Sequence, residues 1–242
     1  MKKLFPILLF TLFLAGCDNE NENTGYNDPE LDDYILENYL HDAKQLYLHE
    51  IFNNKNHPNY NNPTIDKREV VKILKIIQAV YISDTPERDS VFEKYQIHGY
   101  YCYGLNHLYL KVNTESPAIK KLTSNEFPTG NPSLDKILYT YHFDSTRTFY
   151  SYPDFPWLVL FTSHEYNMIP LEEKFESIES IESAELEKGC VGDGNTITLQ
   201  RNAGSATITF SLGAGDCPAG CLYHKYWEFE VSNGTAMFIR TY

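Results

Sequence analysis

Apolar positions along this chain change their spacing near its middle. From 31 to 52, Leu36, Leu40, Ala43, Tyr47 and Ile51 recur at helical spacing, which predicts a helix with one apolar face and acids Asp32 and Asp33 at its first turn. The Asn- and Pro-rich run 53–63 reads as a loop. Asp66 and Glu69 have capping-box spacing ahead of Val70, Ile73, Ile77, Val80 and Tyr81. Val71, Leu74 and Ile76 widen that stripe, so the second helix is expected to be buried on most sides. Residues 83–86 stop it, and a short third helix is expected over 87–96.

From Gly99 the pattern turns toward strands. Residues 108–112 suit a strand, while 116–122 and 133–142 suit helices with Pro117 and Ser133 near their starts. The continuous apolar run 157–161 predicts a strand buried on both faces. A helix over 170–178 and a strand over 181–186 follow, an order that makes a parallel βαβ unit if the two strands lie side by side. The last fifty residues alternate β-branched and aromatic residues with polar ones over 195–201, 206–211, 223–231 and 235–241. Gly192-Asp193-Gly194-Asn195, Asn202-Ala203-Gly204 and Ser232-Asn233-Gly234 carry hairpin-turn chemistry between them. These patterns predict an α+β fold, with N-terminal helices packed on a mixed sheet and a C-terminal antiparallel meander.

The N-terminus changes the picture most. Met1-Lys2-Lys3 precedes an apolar stretch over 4–14 that is too short to span a bilayer. With the small residues and cysteine of Leu14-Ala15-Gly16-Cys17, it resembles a bacterial lipoprotein signal peptide and its lipobox. The resemblance implies cleavage before Cys17 and acylation (palmitate among the acyl groups expected) of its thiol. Two or more acyl chains make such an anchor stable. Residues 1–16 are then the signal peptide, and 17–30 a flexible acidic tether by composition. Residues 31–242 form a single domain, helical over 31–97 and sheet-forming over 98–242. The formal net charge of −13 argues against nucleic acid as a partner and against adhesion to anionic headgroups, so the expected partner is the membrane, through the lipid.

The most distinctive internal motif is Gly215-Asp216-Cys217-Pro218-Ala219-Gly220-Cys221, followed by Trp227. Three readings compete for it. A disulfide between Cys217 and Cys221 suits an oxidising envelope compartment. A metal site would use Cys217, Cys221 and His224, with Cys190 as a further candidate. Structural zinc usually takes two short ligand pairs, however, and the strand's rotation would aim His224 away from the thiols. A redox pair needs a C-x2-C at a helix start. The disulfide ranks first, then metal, then redox. Cys102 and Cys190 remain as a second pair or as free thiols. The motif, with the Gly192–Asn195 run, resembles uncharacterised Bacteroidota lipoproteins with a Gly-Asp-Cys-x-x-Gly-Cys segment before an aromatic strand. That resemblance implies fold and envelope location without an assigned activity. It also implies that Asp18 and Glu20, just after Cys17, act as a surface-export signal.

Other candidate chemistry is incomplete. His164-Glu165 begins a zinc-protease motif, but position 168 is Met. Asp193 and Asn195 have calcium-loop spacing, but position 204 is Gly, so a turn is preferred. Cys102 as a nucleophile would need His98 or His107 as its base. Tyr100, Tyr101 and Tyr103, and Tyr150, Tyr152, Phe155 and Trp157, are either binding aromatics or strand packing, with packing preferred. No cofactor is expected. The functional expectation is a lipid-anchored surface or outer-membrane lipoprotein that binds an unknown ligand or protein. The alternative is an envelope hydrolase or metal-dependent enzyme using His164, Glu165 or the Cys217/Cys221/His224 group.

Overall fold

The computed structural model describes residues 25–26, 28–101, 103–152 and 155–242. The signal peptide, Cys17 and Cys102 lie outside the described residues, as do the side chains of Tyr150, Tyr152 and Phe155. The described residues fold as six helices and two four-stranded sheets, an α+β architecture.

Helix α1 (Asp33–Phe52) starts where the Asp32 side chain accepts the Tyr34 N–H, and α2 (Lys67–Tyr81) where Asp66 accepts the Arg68 N–H. The burial of the two helices differs from expectation. α1 is enclosed on every side over 42–48, Asp42, Lys44 and Gln45 included, but exposes Asp33, Glu37, Asn38, His41 and His49, whereas α2 buries a stripe through Val70, Ile73, Leu74, Ile77 and Val80 and exposes Lys67, Arg68 and Lys72. Glu69 completes no capping box; it reaches Lys72 and Arg201 instead. The third helix is a single turn, α3 (Pro86–Asp89), continued by a wide turn whose Tyr95 N–H bonds the Ser90 carbonyl. The end of the expected tether is docked. Tyr26 is 5 % exposed, its ring lies under the Lys44 and Lys67 ammoniums at 5.2 and 5.3 Å, and Asp28 and Glu30 pair with Lys75.

The first sheet comprises β1 (His107–Val112), β2 (Phe143–Tyr152), β3 (Phe155–Thr162) and β4 (Ile181–Glu185), in the order β2-β3-β1-β4. Helices α4 (Pro117–Thr123), α5 (Pro132–Thr140) and α6 (Ile169–Glu176) cover it, α4 and α5 against β2 and α6 against β4. The parallel βαβ pairing does not form: β1 lies between β3 and β4 and pairs antiparallel with both. Every pair in this sheet is antiparallel, so the parallel component of a mixed sheet is missing. β2 was not anticipated, because Ser145, Thr146, Arg147 and Thr148 interrupt its apolar alternation.

The second sheet is the expected meander: β5 (Thr196–Arg201), β6 (Ser205–Ala214), β7 (Tyr223–Ser232) and β8 (Thr235–Thr241). Asn233 and Gly234 both take positive φ (48° and 75°), the backbone that a tight β7–β8 hairpin requires. Trp227 and Phe229 point inward on the side where β7 meets α2, Trp227 against Tyr95 and Phe229 between Phe210 and Phe238, while Glu228 and Glu230 lie on the outer face. One continuous apolar cluster joins both sheets to the helices.

Polar side chains on α1 tie the layers together. Lys44, 3 % exposed, pairs with Glu165 beyond β3. Asp42 accepts His98 Nδ1–H and the Gly99 N–H, both at 2.8 Å, and Gln45 donates to the Tyr103 carbonyl. Glu50 shares Arg201 of β5 with Glu69 of α2. Removing one member of a buried pair leaves the other charge unpaired. Glu165→Ala should therefore lower the unfolding free energy by about 3–5 kcal/mol, and Lys44→Met/Glu165→Leu should restore most of it, as read by denaturant unfolding.

Candidate functional site

Two places bring polar side chains together near the surface. The first is the end of the meander. Before β5, the segment 190–195 crosses the outer face of β6 and β7. The expected hairpin at Gly192–Asn195 is therefore a strap, since the strand before it, β4, belongs to the other sheet. The Asp193 N–H bonds the Cys217 carbonyl (2.8 Å), and Asn195 Oδ1 accepts the Gly213 N–H (3.0 Å). Gly192, at φ +89°, must be glycine: a Cβ there would lie 2.8 Å from the Cys217 carbonyl oxygen. Cys217 and Cys221 form a disulfide across the β6–β7 loop, with Cα atoms 3.9 Å apart. Cys190 is also disulfide-bonded.

His224 does not turn away from the cysteines. It is paired in register with Gly213, whose missing Cβ leaves room for the Cys221 sulfur. His224 Nε2 donates to Asp193 Oδ2 at 2.8 Å, and Nδ1 faces Ser211 Oγ at 3.5 Å. The His224 contact, followed by the Gly194 N–H, holds the Asp193 carboxyl below its ordinary range. Ser211, His224 and Asp193 follow the connectivity of a hydrolytic triad, but the hydroxyl has no access to a substrate. Ser211 is 0 % exposed, and its Oγ accepts the Thr196 N–H at 3.1 Å and lies 2.6 Å from Thr196 Oγ1. This network pins the strap to the sheet.

The second place is a cleft of about 480 Å³ beside the first sheet. α5 begins where Asn131 caps the Ser133 and Leu134 N–H groups, and it buries Leu134 and Leu138. Tyr139 falls off that face and is 84 % exposed. Past the helix end, His142 takes a positive φ of 53° and stacks on His164, with ring centroids 4.6 Å apart. A register shift between Phe143 and Ser145 leaves Asp144 on a bulge, re-aimed relative to its strand neighbours. Phe127, Pro128 and Ser163 complete the lining. Asp144 has no hydrogen-bond or ion-pair partner among the described residues.

Asp135 also borders the cleft but is committed to its wall. Its carboxylate accepts the Thr129 N–H and hydroxyl, both at 2.7 Å, and the Gly130 N–H at 3.0 Å. Burial pushes this carboxyl up, but those donors and the Lys121 ammonium together hold it below its ordinary value of 3.8.

The other residues singled out in the sequence are dispersed. His164 and Glu165 face different surroundings, His164 on His142 and Glu165 on Lys44. His98 is bonded to Asp42 and His107 to Glu187. Tyr103 stacks on Phe52 and bonds His49, Tyr101 donates to the Ile197 carbonyl, and Tyr100 to that of Val191, so this tyrosine run is packing. Asp193 as the partner of His224, and the cleft itself, were missed. Tyr139, placed off the Leu134/Leu138 stripe, was the available signal for the cleft. The chain matches no family model, no curated protein and no solved structure.

A depressed carboxyl stabilises the fold above its unfolded-state pKa, and that contribution disappears as pH falls through the folded-state value. Asp135→Asn should thus cost about 2 kcal/mol at neutral pH. Thermal unfolding followed against pH should show the gap from the parent protein closing below pH 3.8.

Proposed function

We propose that this chain is a lipid-anchored envelope lipoprotein whose domain binds a neutral, polyhydroxylated ring ligand, a glycan, in the cleft between Phe127, Tyr139, His142 and Asp144. The observation that carries the reading is Tyr139, a large ring at 84 % exposure on the rim of a concave site. An aromatic face offers area to the apolar C–H face of a sugar, and its hydroxyl offers a polar tip. Asp144 and His142 supply an acceptor and a ring nitrogen for sugar hydroxyls; His142 stacks on His164, but neither side chain has a hydrogen-bond partner among the described residues. Mostly apolar concave walls with a few polar groups suit a small-ligand site. The net charge of −13 disfavours anionic ligands.

The anchor reading is supported by the Leu14-Ala15-Gly16-Cys17 lipobox and by the C-terminal segment's resemblance to Bacteroidota lipoproteins. Among the described residues, no helix is long and apolar enough to cross a membrane. Cys17→Ser should abolish incorporation of labelled fatty acid and move the protein from the membrane to the soluble fraction. A variant that remains lipid-labelled and sedimenting would refute the anchor.

Glycan-array screening followed by calorimetric titration tests the cleft. At least one neutral oligosaccharide should bind, and Tyr139→Ala and Asp144→Asn should each weaken it about tenfold or more, the equivalent of about 1.4 kcal/mol. Binding that survives both substitutions would place the site elsewhere, and hydrolysis of the bound sugar would favour the enzyme alternative.

A further inference from the structure

The strap and the disulfide loop together hold a set of metal-ligating side chains. We propose that two-electron reduction of the Cys217–Cys221 disulfide converts this end of the meander into a zinc site, with Cys217, Cys221, His224 and Asp193 as ligands. The inference is independent of the cleft and of its ligand.

Ligand atoms of Asp193, Cys221 and His224 already lie within 4.8 Å of one another. In tetrahedral zinc, with Zn–S near 2.3 Å and Zn–N near 2.0 Å, neighbouring ligand atoms stand roughly 3.3–3.8 Å apart, so only small movements are needed. Cys217, with its Cα 3.9 Å from that of Cys221, lies outside that group of three and joins it as fourth donor by turning its sulfur inward once the S–S bond is broken. Gly213 leaves the sheet floor bare under the sulfur, where a Cβ would stand 2.5 Å from Cys221 Sγ. His224 presents Nε2 to this space, while its other nitrogen faces Ser211, itself held by Thr196, an arrangement that orients an imidazole for a metal.

The site does not depend on the disulfide for its shape. The Asp193 N–H holds the Cys217 carbonyl, the Gly220 N–H bonds it at 3.1 Å, and the Leu222 N–H bonds the Ala214 carbonyl at 2.9 Å. Those bonds remain when the sulfurs separate. The step balances with a dithiol reductant: it gives two electrons and two protons to the S–S bond, yields two thiols and becomes a disulfide itself. Zinc then displaces the two thiol protons to solvent. The oxidised form keeps His224 and Asp193 but offers no thiolate, so its zinc affinity is far lower.

The full chain, reduced with dithiothreitol without oxygen and freed of excess reductant, should bind one zinc ion per chain, while the oxidised chain should bind none at the same concentration. The Co2+ form should show thiolate charge-transfer bands and the visible bands of tetrahedral cobalt. His224→Ala and Asp193→Asn should each lower affinity at least tenfold, and Cys217→Ser/Cys221→Ser should abolish binding. Thermal unfolding of each oxidised variant shows whether it is folded. If His224→Ala is not, the cobalt spectrum of the parent protein decides through its nitrogen and sulfur ligation. Equal zinc in oxidised and reduced protein, no zinc in the reduced protein, or zinc retained by the double serine variant would each overturn the proposal, the last by assigning the metal to other thiols.

Discussion

The fold is arranged around a helix whose middle turns, residues 42–48 of α1, have no solvent face. α1 packs on α2 and β5 and is crossed by connecting segments, so its polar residues find their partners on β5 and on those segments. Lys44 answers Glu165, Asp42 answers His98 and Gly99, Gln45 answers the Tyr103 carbonyl, and Glu50 answers Arg201. Burying such groups is costly unless each is satisfied, so these contacts act as constraints on where the rest of the chain can sit. An apolar helix in the same position could slide or rotate; this one has its register set by four polar side chains and their five partners.

The two surface sites show the same polar chemistry put to opposite uses. At the end of the meander, Ser211, His224, Asp193 and Asn195 are consumed by one another and by the backbone, and the result is a strap clamped on a sheet. At the cleft, Asp135 is consumed in the same way, but the side chains of Asp144 and His142 form no hydrogen bonds among the described residues, and Tyr139 faces solvent. A resemblance to a catalytic triad thus coincides with a buried hydroxyl, while the functional reading falls on residues with no recognisable motif. Connectivity alone does not distinguish the two; access and spare hydrogen-bonding capacity do.

What could be read in the sequence follows the range of the interactions. The meander was legible because its hairpins are local and its turns carry Asn233-Gly234 and Gly204 where positive φ is needed. α2 was legible as a helix from Asp66 and its apolar spacing. The order β2-β3-β1-β4 was not, because it depends on pairings between distant segments, and neither was the burial of α1, because Lys44 and Glu165 are far apart in the chain. β2 was hidden by its hydroxyl-bearing residues. His224 was misdirected because strand alternation was considered without the strap that meets it on the outer face. Asp144 could not be picked out from spacing, since a bulge decides its direction.

The docking of Tyr26 sets a length. If the lipid is carried by Cys17, the chain free to separate the membrane from the folded body spans only the residues up to Tyr26, at most about 30 Å at full extension. That is comparable to the width of a small domain. The domain would then work as a short-leashed body held close to the bilayer, with the α1–α2 side, where Lys44 and Lys67 grip the Tyr26 ring, always nearest the attachment point. Under that condition, whatever it binds must come to within the leash plus the width of the domain from the lipid surface.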